Sequence, residues 1–150
     1  MRIGIGNDHA GVEYKNLIKA YVEEKYGYDV INYGCDTLES VNYPEFGEKV
    51  ANAVINNEVD KGILICGTGI GISLAANKVN GIRCAVCSES KSATLSRKHN
   101  DSNIISFGAR IIDIEKAKEI VDAFLTTDFE GGRHQIRIDM IKDIEDRQKR

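Results

Sequence analysis

Ile63-Leu64-Ile65-Cys66-Gly67-Thr68-Gly69-Ile70-Gly71 joins a run of branched aliphatic residues to a thiol and then to three glycines in five positions. A short continuous apolar run reads as a strand buried on both faces, the kind that belongs to a parallel sheet. The glycines read as a tight turn opening the next helix. At such a junction several backbone N–H groups converge on one spot, and a helix N-terminus favours negative charge there. That environment would stabilise either a thiolate at Cys66 or an anion made from a substrate.

Working outward, the same grammar repeats along the chain. Strand candidates lie at 2–6, 29–33, 62–65, 82–86 and 103–107, with amphipathic stretches between and after them. Tyr14, Leu17, Ile18, Tyr21 and Val22 follow the spacing of one buried helical face, and Gly27 is its stop. Pro44 opens a second helix carrying Phe46, Val50 and Val54. A third covers 70–78. Ser88 and Asp113 suit the N-caps of two more, the latter carrying Ala117, Ile120, Val121 and Phe124. Beyond Gly131-Gly132 a last helix runs from Arg133 to near Arg150, with an apolar stripe of Ile136, Met140, Ile141 and Ile144. Alternating β and α units predict a single three-layer α/β/α domain over 1–150, with a five-stranded parallel sheet and an extra C-terminal helix. The stripe on that helix suits packing on its own domain or against a second subunit, the latter being favoured.

Composition narrows the function classes. The 150 residues carry a formal net charge of -3, with 42% apolar and 29% charged residues. Nucleic acid and anionic membrane are disfavoured as partners by that charge. No apolar run approaches the roughly 18 residues of a membrane span, and no signal-peptide pattern follows Met1, so a cytoplasmic protein is expected. Cys84 and Cys87 form a C-x-x-C pair on an extended segment, where residues three apart point to opposite faces. They are expected as buried structural thiols and not as a metal or redox pair. No set of ligands with zinc spacing is present, and neither metal nor cofactor is expected.

In open parallel sheets, ligands bind beyond the carboxyl ends of the strands. That edge collects Asn7-Asp8-His9, Cys66 with its turn, Ser88-Glu89 and Gly108-Ala109-Arg110. The G-x-G-x-G turn lacks the spacing of a dinucleotide fingerprint and the Gly-Lys-Ser/Thr of a Walker loop. A thiol beside convergent amide donors suits proton abstraction next to a carbonyl, and equally acyl transfer. Arg133 and Arg137, four apart at the start of the last helix, share a face that fits phosphate oxygens. A solvated basic face is the plainer alternative. His99 precedes the fifth strand and belongs at the amino edge, about 16 Å from Cys66 across a five-residue strand. A catalytic His99 would therefore serve a neighbouring subunit, as would Arg133 and Arg137. A non-catalytic phosphate-binding module and a thiol-redox protein are the competing classes.

Four segments together resemble the type B ribose-5-phosphate isomerases of the ribose/galactose isomerase superfamily, essentially from end to end. They are Gly4-Ile5-Gly6-Asn7-Asp8-His9-Ala10-Gly11, Ile65-Cys66-Gly67-Thr68-Gly69-Ile70-Gly71, Leu95-Ser96-Arg97-Lys98-His99-Asn100-Asp101 and Glu130-Gly131-Gly132-Arg133-His134. The resemblance implies a Rossmann-like sandwich and metal-free interconversion of ribose 5-phosphate and ribulose 5-phosphate through an enediolate. It implies Cys66 as general base, with the nest of Gly67, Thr68, Gly69, Ile70 and Gly71 holding the enediolate oxygen and the Thr68 hydroxyl near the reacting carbons. His99 would open the furanose ring, while Asp8 and Asn100 would bind sugar hydroxyls or assist ring opening. His9, Arg110, Arg133 and Arg137 would hold the phosphate, with Tyr43 lining the sugar pocket. Some members use a glutamate just after the turn; Gly71-Ile72-Ser73 offers no acid, leaving Cys66. A homodimer sharing its site between subunits is implied, with pairing of dimers left open. Galactose and allose 6-phosphates are the alternative substrates.

Overall fold

The computed structural model describes residues 1–149. Its sheet holds five parallel strands in the order β2-β1-β3-β5-β4: β1 (Arg2–Asn7), β2 (Asp29–Asn32), β3 (Lys61–Cys66), β4 (Cys84–Val86) and β5 (Ile104–Gly108). Helices α1 (Val12–Tyr26), α2 (Tyr43–Ile55), α3 (Ile70–Ala76), α4 (Ser90–Asn100) and α5 (Ile114–Thr126) connect or follow the strands, and α6 (Arg133–Gln148) is appended. The expected α/β sandwich is the one found. The last residue anticipated for the final helix, Arg150, lies outside the described residues.

Strand alternation splits the core into two apolar layers. Ile63 and Ile65 of β3 face a layer with Ile18, Val22, Ile120, Val121 and Phe124 from α1 and α5. Leu64 and Cys66 face the opposite layer with Phe46, Val50, Ile72 and Ala76 from α2 and α3. Both layers are apolar, so successive β3 residues are apolar in either direction, which explains why the run lacks polar alternation. Cys84 packs with the second layer and Cys87 with the first. Burial raises their thiol pKa values to about 12 and about 11, and the two cannot pair.

Several local expectations shift. Gly27 does close α1, its N–H bonding the Glu23 carbonyl at 3.0 Å. The inward stripe of α1, however, is Val12, Lys15, Ile18 and Val22, while Leu17 is exposed. The helix sits rotated so that Tyr14 and Tyr21 only flank the core. Helix α2 begins at Tyr43 with Pro44 inside its first turn. Glu89, not Ser88, caps α4, its carboxylate accepting the Ser92 N–H at 2.9 Å.

The strand order places the site. From β1 the chain passes to β2 on one side and then to β3 on the other, so the β1 and β3 carboxyl ends form a switch point. Asn7 pairs in register with Ile65, and Cys66 with Gly108. Asp8-His9, the glycine turn and Arg110 therefore emerge side by side.

Candidate active site

Cys66 is the last residue of β3 and is nearly buried, its side chain turned toward the α2–α3 layer. The Gly69 N–H points at its sulfur at 3.1 Å. That approach requires Gly69 to take a left-handed φ of 79° directly over β5, where a Cβ would stand 2.6 Å from the Phe107 carbonyl carbon. Gly108 meets the turn from the other side, with no room for a Cβ beside Thr68. Ser106 Oγ bonds the Gly69 carbonyl at 2.8 Å, and the Ala109 and Arg110 amides bond the Cys66 and Gly67 carbonyls at 2.9 and 3.0 Å. The turn is thus held rigidly by β5. Thr68 is exposed, its hydroxyl accepting the Ile70 N–H at 3.1 Å. Of the expected nest, two amides therefore already have acceptors within the turn. Ser73, where an acid would be needed for a second base, is buried and donates to the Ile70 carbonyl at 2.7 Å.

Around the thiol stand the other carboxyl-edge residues. Asp8 is buried, and its carboxylate caps a short 3-10 turn (His9–Gly11) by accepting the Ala10 N–H at 3.0 Å. His9 Nδ1 accepts the Val41 N–H at 3.1 Å. A neutral ring so bound carries its proton on Nε2, which is left as its donor. The Arg110 guanidinium lies over Gly67, its Nη1 3.2 Å from where a Cβ would stand, and the Tyr43 ring lies against Gly71, 2.7 Å from one. Asp8, His9, Tyr43, Cys66, Gly67, Thr68, Gly69, Ile70, Gly71 and Arg110 are gathered at one place.

The remaining candidates are not. His99 and Asn100 end α4, and the loop after them enters the sheet where Asn103 accepts the Gly62 N–H at 3.0 Å. Gly62 is the second residue of the strand that Cys66 ends, about 13 Å away at strand rise. At this amino edge the His99 ring stacks on His134, centroids 4.3 Å apart and 15° between planes. His134 is buried at the start of α6 beside the exposed Arg133 and Arg137. Burial first, then the neighbouring His99, Arg133 and Arg137, push its pKa below 6.5, with Glu130 opposing. The residues 130–134 are tied to α4 by the Glu130 N–H on the Lys98 carbonyl at 3.1 Å.

Two residues escaped the sequence reading. His134 sits within a quoted motif, but nothing in spacing shows it stacking on His99. Lys15 did leave a signal: it is a cation at a position where the period of Val12, Ile18 and Val22 asks for an apolar side chain. Asn7, which the sequence already placed at the carboxyl edge, is fully buried, its Nδ2 bonding the Asp8 and Cys35 carbonyls at 2.8 and 3.1 Å. Among the described residues no cluster of three or more His, Cys, Asp or Glu could hold a metal ion. No helix among them is long and apolar enough to cross a membrane.

The carboxyl edge of the sheet thus carries a thiol, amide donors, an imidazole, a carboxylate and a guanidinium. The model of the Ribose/Galactose Isomerase family matches residues 3–141, and the chain belongs to that family. The chain is 52% identical over 146 residues to ribose-5-phosphate isomerase B of Escherichia coli K12, covering 97% of each chain. The solved ribose-5-phosphate isomerase B of Clostridium thermocellum superposes with a TM-score of 0.97 at 50% identity, over 99% of this chain and all of that one. A D-erythrulose-4-phosphate isomerase of Pectobacterium atrosepticum is 42% identical over 150 residues, 99% of this chain and 98% of its own.

Proposed function

We propose that this chain interconverts D-ribose 5-phosphate and D-ribulose 5-phosphate, as one sugar-phosphate isomerase domain over 1–150. The observation that carries the reading is Cys66 held beneath a turn whose Gly69 amide faces its sulfur, with Asp8, His9 and Arg110 beside it. Ribose is preferred over the tetrulose and 6-phosphohexose alternatives because the 52% and 50% identical relatives bear the ribose name.

After ring opening, the Cys66 thiolate removes the C2 proton. The electron pair moves through C1 to the carbonyl oxygen, and turn amides with the Thr68 hydroxyl stabilise that developing charge. Transfer of the O2 proton to O1 and return of the carbon-bound proton from Cys66 to C1 complete the ketose, leaving the thiolate as it began. His9 and Arg110 from one subunit, with Arg133 and Arg137 from its partner, hold the phosphate. His99 acts on the ring oxygen as acid, while Asp8 and Asn100 hold hydroxyls and Tyr43 walls the pocket. A homodimer reconciles the two separated edges: the amino edge of each chain supplies the carboxyl edge of the other. The exposed Ile136, Met140, Ile141 and Ile144 of α6 fit that assembly, as a stripe with no cover in one chain. The cytoplasm is the compartment where such phosphorylated sugars occur.

The test is ribulose 5-phosphate formation with chelator present, comparing wild type with Cys66→Ala. Turnover that falls by about 10³-fold while ligand binding persists is expected for loss of the base. Turnover kept in the variant moves the base elsewhere. A silent wild type sends the assay to hexose 6-phosphates, and silence there leaves a phosphate-binding module.

A further inference from the structure

Lys15 is fully buried, on the inward stripe of α1 between Val12 and Ile18. Its Nζ donates to the Cys35 carbonyl at 2.9 Å and to the Asp36 carboxylate. The Asp36 side chain is 73% exposed, so this is not an ion pair closed off inside the core. Placing an ammonium on such a stripe is a poor route to stability, because the charge loses its hydration and an apolar residue of similar volume commonly does as well. The contacts suggest another purpose.

The Cys35 carbonyl that receives Lys15 also receives Asn7 Nδ2 at 3.1 Å, and that same Nδ2 bonds the Asp8 carbonyl at 2.8 Å. The Cys35 N–H returns to the Asn7 carbonyl at 3.4 Å. One end of the loop at 33–42 is thereby fastened to the end of β1, where Asp8 begins. The other end supplies the Val41 N–H that holds His9 Nδ1 at 3.1 Å. The loop thus links a buried cation to the two residues that follow β1, and nothing regular in its own backbone would fix its path.

We propose that Lys15 is a positioning residue: its ammonium clamps the loop at 33–42 so that Asp8 is fixed and His9 is held with Nε2–H as its donor to the substrate phosphate. This rests on the reading of Asp8 and His9 as substrate-binding groups. Lys15 touches no substrate in this account and acts only through Cys35, Asn7 and Val41.

Three histidines in the chain make the imidazole nitrogens tractable by 15N NMR. In the wild type His9 should show the Nε2–H tautomer when neutral and should respond to inorganic phosphate. Lys15→Met should give mixed His9 tautomers and weaken inorganic phosphate by about tenfold, the scale expected for a small misplacement of a binding group. The KM for ribose 5-phosphate should rise with it and kcat much less, and Lys15→Arg should recover part of the loss. In a His9→Ala background, Lys15→Met should weaken phosphate by no more than about twofold further, since both changes then remove one interaction. An unchanged His9 signal, or losses that simply multiply, would overturn the proposal. If Lys15→Met does not fold, Asp36→Asn removes an exposed partner of the same ammonium and should shift phosphate affinity two- to threefold, about the worth of one loosened hydrogen bond. No shift there also overturns it. A wild type inactive on every sugar phosphate would remove the isomerase reading alone, because the imidazole and phosphate measurements do not depend on turnover.

Discussion

The two edges of the sheet are built by different means. At the carboxyl edge, the reactive residues sit on strand ends and turns: Cys66 ends β3, Asp8 follows β1, and Gly69 lies over β5 with 2.6 Å between a notional Cβ and backbone. At the amino edge, His99, His134, Arg133 and Arg137 stand on the ends of two helices that touch each other and not the Cys66 turn. The carboxyl edge is positioned by the hydrogen-bonded ladder. The amino edge is positioned by that stacking, by the Glu130 N–H on the Lys98 carbonyl, and by side-chain bonds of Arg97 and Glu145 to main-chain groups. Rigid strand ends suit the proton transfer, where fractions of an ångström matter. In the proposed dimer, the helix ends are the groups that each subunit lends to its partner.

The largest effect expected from this contrast comes from separating the edges genetically. Cys66→Ala and His99→Ala chains should each lose about 10³-fold in turnover. Mixed in equal amounts and allowed to exchange, they should recover about a quarter of wild-type activity, since half the two-fold dimers then carry one intact site. No recovery in a verified mixed dimer would place His99 outside a shared site.

Next in size is the phosphate. Arg133→Ala or Arg137→Ala should raise KM for a sugar phosphate by about 10- to 100-fold, the worth of a charge-assisted bond, while the unphosphorylated sugar is little affected. Equal losses on both would break the assignment of these guanidiniums to the phosphate.

A smaller effect should appear in stability against pH. His134 has a folded pKa below 6.5, so the unfolded chain binds the extra proton first. Its contribution is present above 6.5 and is lost as pH falls from there through the folded value. Thermal melts at successively lower pH should show this loss in the wild type and a shallower fall in His134→Asn. A wild-type slope unchanged by the substitution would sever the stack from the titration. Smallest of all, Cys87→Ala should leave turnover within about twofold, because this small buried thiol packs in the layer opposite the Cys66 side chain and alanine keeps the main-chain bond to Ser106. Kinetics on that variant, compared with Cys66→Ala, separate the site cysteine from a packing one.

Much of this was legible in the residues. The unbroken run at 63–65 announced a strand buried on both faces, and the glycines announced the turn, since only glycine fits a left-handed backbone pressed against β5. Gly27 and Asp113 marked helix ends because caps are local chemistry, with Asp113 accepting the Lys116 N–H at 2.8 Å. Ser88 failed as a cap for the same local reason, because the adjacent carboxylate of Glu89 reached the Ser92 amide instead. Leu17 failed as a core residue because an apolar stripe leaves the rotation of a helix uncertain by one position.

Sequence by itself determined the βα alternation, the place of Cys66 at a strand end and the separation of His99 from it, because strand rise and chain direction are local properties. Tertiary structure decided what touches across elements. The order β2-β1-β3-β5-β4 set Asp8 and Arg110 on either side of the thiol, the packing of α6 on α4 stacked His134 on His99, and the burial of Lys15 tied a distant loop to His9. Such meetings depend on which surfaces pack, a choice made by the whole core at once, and no short stretch of residues encodes it.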